Sequence, residues 1–280
     1  MSEVTATREP TPASSPADGS ATIKARNAGF LHDLATVAGR AIRDIPREPE
    51  SVIPALIVPL FFFIVNIGAL QDLAESQAPG FDFKAFQLPV AIIFAVTGVS
   101  RAGTLVTDIQ NGYFDRLLAT PVSRRALLLG MMLADFVLVV ALSIPVVIMG
   151  FAVGVRFETG VAGVVVFLLI GGLWGLVFTG FPYAIALKTG SPAAVNSSFI
   201  LFFPFAFLTT SFLPQEALTG WLSTIADYNP VTYLLAALRS LVSEGWEWRT
   251  LAEGLAAVAA VGVLTQTLAF KALKGRVSSK

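Results

Sequence analysis

The chain has 280 residues, 55% of them hydrophobic and 14% charged, with a formal net charge of zero and a mean hydropathy of +0.73. Soluble domains carry about 25% charged residues, so this composition excludes a soluble domain of any size and marks an integral membrane protein. Zero net charge gives no bulk attraction to nucleic acid, and the absence of cysteine excludes disulfides, thiolate catalysis and Cys-ligated metal.

Residues 1–23 are rich in Pro, Ser, Thr and Ala. They read as a disordered tail and not as a signal peptide. Over 24–50, Phe30, Leu34, Val37, Ala41 and Ile45 recur at helical spacing, with Lys24, Arg26, Asp33, Arg40 and Arg43 mostly between them. This predicts an amphipathic helix with a basic face, ending near Pro46 and Pro49 and lying in the membrane interface. A helix packed on protein would carry the same pattern. His32, the only histidine, is assigned no role.

A membrane helix needs about 20 apolar residues to cross roughly 30 Å of hydrocarbon. Six segments qualify: 52–70, 88–106, 126–153, 161–187, 193–213 and 251–270. They make 51–275 an all-α, six-span membrane domain. Arg101, Asp135 and Glu253 are the charges within these limits. Each is placed near an interface, where a charge is cheaper than at the bilayer centre. With the amino terminus inside, fifteen of the 19 Lys and Arg residues fall on inner segments, and Lys84, Arg156, Arg239 and Arg249 on outer ones. The asymmetry predicts six spans with both termini cytoplasmic.

Between the second and third spans lies DIQNGYFDRLLATPVSRR, residues 108–125. Asn111-Gly112 is a turn signal and Pro121 is a helix breaker, so this is a structured cytoplasmic segment. The outer loop over 214–250 holds Trp221, Tyr228, Tyr233, Trp246 and Trp248, residues that settle at membrane–water interfaces. Asn229-Pro230 interrupts it. Two short helices that dip into the outer leaflet are expected, packed against the spans. There is no phosphate-binding loop of the G-x-x-x-x-G-K-[ST] type, no H-E-x-x-H and no G-x-S-x-G. A transporter of this composition needs another chain to supply its energy.

The segment after the second span resembles that of type-2 ATP-binding-cassette exporter permeases, the group with the daunorubicin-resistance and polysaccharide exporters. The pattern reads Asp108, Gly112, Arg116-Leu117 and Thr120-Pro121-Val122-Ser123-Arg124, with Gly130 following. Asp108 stands where the family more often has Glu. Pro214, Trp221-Leu222, Asn229-Pro230 and Arg239 resemble the family's sequence before its last span. The likeness covers about residues 24–275.

The resemblance implies a permease subunit in the cell membrane that is not itself an enzyme. It would pair with a second permease, identical or a paralogue, and dock on a nucleotide-binding ATPase subunit. ATP and Mg would belong to that subunit, with no cofactor, metal or catalytic residue on this chain. The segment over 108–125 would be a coupling helix, with Asp108, Gly112, Tyr113, Phe114, Asp115, Arg116, Leu117 and Pro121 as its contact residues. Tyr113, Phe114, Leu117 and Leu118 suit burial against a partner, and Asp108, Asp115 and Arg116 suit pairing at a rim. The path would run between the protomers, beside the first, second and fifth spans. Candidate lining residues are Phe62, Phe63, Asn196, Phe202, Phe203, Thr209 and Thr210. A bulky amphipathic, lipid-like, drug or glycan cargo suits them, and rings that face membrane lipids or pack helices fit the same pattern. The alternative is an ATP-independent channel or scramblase.

Overall fold

Apolar runs too long to be solvated set the architecture. The computed structural model describes residues 29–278 except 48 and 79, and the described residues are helical throughout, without a strand. In chain order the helices are α1 (Phe30–Asp44), α2 (Pro49–Gln77), α3 (Phe83–Thr97), α4 (Ala102–Gln110), α5 (Tyr113–Leu118) and α6 (Arg124–Ala152). There follow α7 (Gly160–Thr189), α8 (Pro192–Ser198), α9 (Phe202–Phe207), α10 (Trp221–Tyr228), α11 (Pro230–Arg239) and α12 (Trp248–Ser278). The tail expected over 1–23 lies outside the described residues.

Five segments are long and apolar enough to cross a membrane: α2, α3 with α4, α6, α7 and α12. The expected single helix over 193–213 is instead two short helices of seven and six residues joined by a 3-10 turn, Phe199–Leu201. Its start is well defined, with Pro192 in the first turn and the Ser191 hydroxyl accepting the Ala194 N–H. At its end the Leu208 N–H returns to the Pro204 carbonyl and the Ser211 hydroxyl donates to that of Ala206. The Asn229 side chain, 21 residues further on, donates to the Phe205 and Leu208 carbonyls at 2.7 Å each. Asn229 also caps α11 by accepting the Val231 N–H. A helix can stop inside an apolar bundle when another element takes its free carbonyls.

The contacts sort the helix ends into two groups. Gln110 donates to the Gly190 carbonyl and Arg276 to that of Leu187, so the ends of α4, α7 and α12 lie together. At the opposite end Glu158 N–H reaches Val242, the Thr159 hydroxyl reaches Leu241, and Arg239 reaches Thr210 and Phe86. The run from Gly190 to Thr210 therefore passes from one end of the bundle to the other, although no single helix within it has the length to do so.

α3 and α7 form the centre. Leu88, Ile92, Phe167 and Tyr183 are fully buried. Glycines let α7 and α12 approach to backbone distance. A Cβ at Gly180 would lie 2.8 Å from the Thr265 backbone, and one at Gly262 would lie 2.9 Å from Val177. Close approach at small residues replaces hydrophobic collapse as the packing force between membrane helices. α2 is different. It leaves Ile57, Val58, Phe61 and Val65 outward-facing. At the end opposite α4 lie α10 and α11, two short helices, and Trp221, Tyr228 and Trp248 are exposed.

Candidate functional site

The segment over 108–125 folds as an elbow. α4 ends at Gln110, and Gly112 takes the left-handed conformation at φ 67°. A residue with a Cβ is strained there. The chain then turns directly into α5, where Arg116 N–H returns to the Gly112 carbonyl. Pro121 is exposed in the connection to α6, after the Thr120 hydroxyl has donated to the Leu117 carbonyl.

Two side chains of α1 hold this elbow. The Arg40 guanidinium lies 3.7 Å from the Asp108 carboxylate and 4.3 Å over the Tyr113 ring, and it also lies 3.8 Å from Asp44. Asp33 accepts the Ser123 N–H at 2.9 Å, closing the far side of the segment. Between α1 and the elbow is a cavity of about 350 Å³ bordered by Asp33, Arg40, Asp108, Tyr113 and Leu117. Arg40 entered the sequence reading only as part of a basic face. Nothing in its spacing signals Asp108, 68 positions away.

The expected contact residues divide. Arg116 and Pro121 are exposed; Asp108, Gly112, Tyr113, Asp115 and Leu117 are partly exposed. Phe114 faces inward, 3% exposed, and packs with Leu105, Val106, Leu128 and Met131. Its expected burial against a partner is replaced by burial within this chain. An aromatic ring at the end of a bundle finds its nearest apolar surface there.

The candidate path residues also divide. Phe62 and Phe203 are joined through Phe94, whose ring centroid is 5.5 Å from Phe62 and 6.4 Å from Phe203. Phe203, Phe207 and Phe212 continue the row, and Asn196 is exposed. Phe63 and Phe202 are instead core residues. Thr209 and Thr210 are buried as well. The Thr209 hydroxyl pairs with that of Thr232 at 2.6 Å, and Thr210 accepts from Arg239 at 2.9 Å. These four side chains are occupied by internal packing, and of the seven candidates Phe62, Asn196 and Phe203 keep accessible surface. Phe207, on the same helix as Phe203, belongs to the row, and Phe94 and Phe212 are rings that the spacing of the spans does not point to.

Arg239 anchors the opposite end of the bundle. It donates to the Phe86 carbonyl and to both oxygens of Thr210, and its guanidinium lies 3.5 Å from the Phe86 ring centroid. Loss of hydration pushes this group down to about 9, with Glu244 opposing the shift. It remains a cation at neutral pH.

Asp135 lies well inside α6 and not at its first turn. It is fully buried. The second span breaks between Thr97 and Ala102, and α4 starts inside the bundle with its first N–H, of Ala102, donated to the Ser100 hydroxyl. The Asp135 carboxylate accepts the Arg101 N–H at 2.9 Å, and the Ser100 hydroxyl lies 3.4 Å away. Arg101, itself 5% exposed, supplies an opposite charge beside it. The break and the acid explain each other: a carboxylate is retained in an apolar bundle because a helix N-terminus and a cation both face it. Among the described residues no group of three or more His, Asp or Glu side chains could hold a metal ion.

Residues 32–242 match the sequence model of a family described as ABC-2 type transporter. The chain is 29% identical over 210 residues to the daunorubicin resistance ABC transporter permease protein DrrB1 of Streptomyces coeruleorubidus, covering 72% of each chain. It is 23% identical over 217 residues to the probable doxorubicin resistance ABC transporter permease protein DrrC of Mycobacterium tuberculosis, covering 77% of this chain and 79% of that one. It is 27% identical over 225 residues to the putative transport permease ycf38 of Cyanophora paradoxa, covering 76% and 75%.

Proposed function

Because this chain belongs to the ABC-2 type transporter family, we propose that it is the membrane half of an ATP-driven exporter and takes its energy through the elbow over 108–125. The permease role and the multi-pass membrane character come with the family. The direction, the cargo and the ATPase contact are the substance of the proposal. In this reading both termini and the elbow are cytoplasmic, and a separate subunit binds ATP and Mg. Closure of an ATPase pair pushes on α5, and the path between two permeases, this chain and a second copy or paralogue, switches from inward to outward access.

The observation that carries the reading is the build of the elbow. α5 is only six residues long, yet it is fixed at both ends: by the left-handed Gly112 before it and by Asp33 on Ser123 after it. Phe114 roots it in the bundle while Arg116 points out. A short helix anchored on its inner face and open on its outer face transmits displacement and does not absorb it. Phe62, Phe94, Phe203 and Phe207 offer flat apolar surface and Asn196 a polar point, which suits a bulky amphipathic cargo such as the drugs named for the relatives.

The test is co-purification. The permease and a candidate ATPase subunit are expressed together and isolated in mild detergent, first with the native chain and then with Gly112→Ala and Arg116→Glu. The alanine pays a left-handed strain of about 1 kcal/mol, too little to unfold the chain but enough to redirect α5. Both variants are expected to lose ATPase binding, or to retain it while losing transport-linked stimulation. An ATPase that stays bound and coupled through both changes rules the elbow out as the energy input.

A further inference from the structure

At the end of the bundle where α4, α7 and α12 finish, the start of α6 and the end of α12 flank a groove of about 1520 Å³. Its mouth carries Arg124, Arg125, Lys271 and Lys274, all exposed, and no carboxylate lines it. Among the described residues none of these four cations has an ion-pair partner. Asp33, on the adjoining α1, is turned to the Ser123 N–H. Below the cations the floor is apolar and made by Leu129 and Phe270, with Thr267 deeper along α12, and Val277 lines the groove beyond Lys274.

We propose that this groove holds one anionic phospholipid, its phosphate at the four cations and an acyl chain along the floor. The sequence of chemistry along α12 supports this occupant. Lys274 and Lys271 stand in its last turns, where the apolar run ends; Phe270 and Thr267 follow towards the bilayer. At 1.5 Å per residue, Thr267 lies roughly 10 Å deeper than Lys274. A free phosphate would use the cations and leave the floor empty. A soluble acidic partner would meet the rim but could not follow the groove below the headgroups. A phospholipid fills both parts, and basic clefts between spans at the cytoplasmic face suit such headgroups.

The full chain in nonionic detergent is titrated by native mass spectrometry with phosphatidylglycerol, phosphatidylcholine of the same acyl chains, and sn-glycerol 3-phosphate. Phosphatidylglycerol is expected to bind preferentially. Exchanging all four cations for glutamine should weaken it by roughly ten- to a hundredfold. Thr267→Trp, which keeps every charge and blocks the floor, should weaken it too, whereas Arg249→Gln at the opposite end should leave it unchanged. Equal binding of phosphatidylcholine, equally tight binding of glycerol 3-phosphate, an unaffected four-fold variant or an unaffected Thr267→Trp each overturns the proposal. So does an Arg249→Gln variant weakened as much as the four-fold one. The readout is binding alone, so it stands or falls apart from ATP coupling.

Discussion

Asp135 and Arg101 lie together away from water, and the reason is local. The second span is interrupted at Gly98–Arg101, and side chains take the donors that the interruption releases: Ser100 accepts the Ala102 N–H and Asp135 the Arg101 N–H. Asp135→Ala should therefore lower the thermal midpoint of the purified protein by several degrees, because a buried donor left unpaired costs about 1–3 kcal/mol and the neighbouring Arg101 charge loses its counterion. Asp135→Asn, which keeps an acceptor oxygen, should fall between. An alanine variant as stable as the native chain would show that neither the cap nor the charge matters. The sequence displayed Asp135 and Arg101 as two charges at opposite edges of two apolar runs. Placing each at an interface was the cheapest solution for a single residue. Only the break after Thr97 makes their pairing cheaper still, and a break of four residues leaves no mark in a hydropathy window.

At the level of elements, the long apolar runs were readable and their interruptions were not. α6, α7 and α12 follow directly from continuous hydrophobicity, and α1 from its helical spacing. The run over 193–213 has the same composition as a span, yet its helix stops at Phe207, where Asn229 takes the Phe205 and Leu208 carbonyls. That donor arrives from a different part of the chain. The docking of α1 has a similar origin. A Cβ on Gly130 would lie 2.8 Å from the Val37 Cβ and 3.1 Å from the Leu34 carbonyl, so α1 seats on α6 at a position only glycine permits. From α1, Arg40 reaches Asp108 and Tyr113. Gly130→Leu should push α1 off this seat at a cost of about 1–3 kcal/mol and expose its backbone. Trypsin should then cleave after Arg40 and Arg43 several-fold faster than in the native protein, while Gly130→Ala produces a smaller change. Cleavage at the native rate in the leucine variant would mean that α1 is held by other contacts. Since α1 carries Arg40, the same displacement should weaken the elbow without any change within 108–125.

For the molecule as a whole, the distribution of burial separates a packed side from an open one. α3 and α7 are enclosed, and α12 seats on α7 through Gly180 and Gly262. α2 keeps Ile57, Phe61 and Val65 bare, and beside it Phe203, Phe205 and Phe207 are also exposed. The two surfaces are continuous, because Phe62 meets Phe94 and Phe212, and Phe94 meets Phe203 and Phe207. A lipid-facing helix needs only apolar side chains, and α12 meets that need with Val263 and Leu264. The α2–α9 face adds a shared row of aromatic rings, whose large rigid surfaces favour burial against another protein. If two permeases pair there, the path lies between matching rows. The chain has no cysteine, so single substitutions report this directly. Ile57→Cys and Phe205→Cys, each introduced alone and oxidised in membranes that contain no other permease, should give a disulfide-linked dimer. Val263→Cys, 71% exposed on α12, should remain monomeric. Equal cross-linking at all three positions would indicate random collision in the bilayer. A dimer at Val263 alone would move the interface, and with it the path, to the opposite side of the bundle.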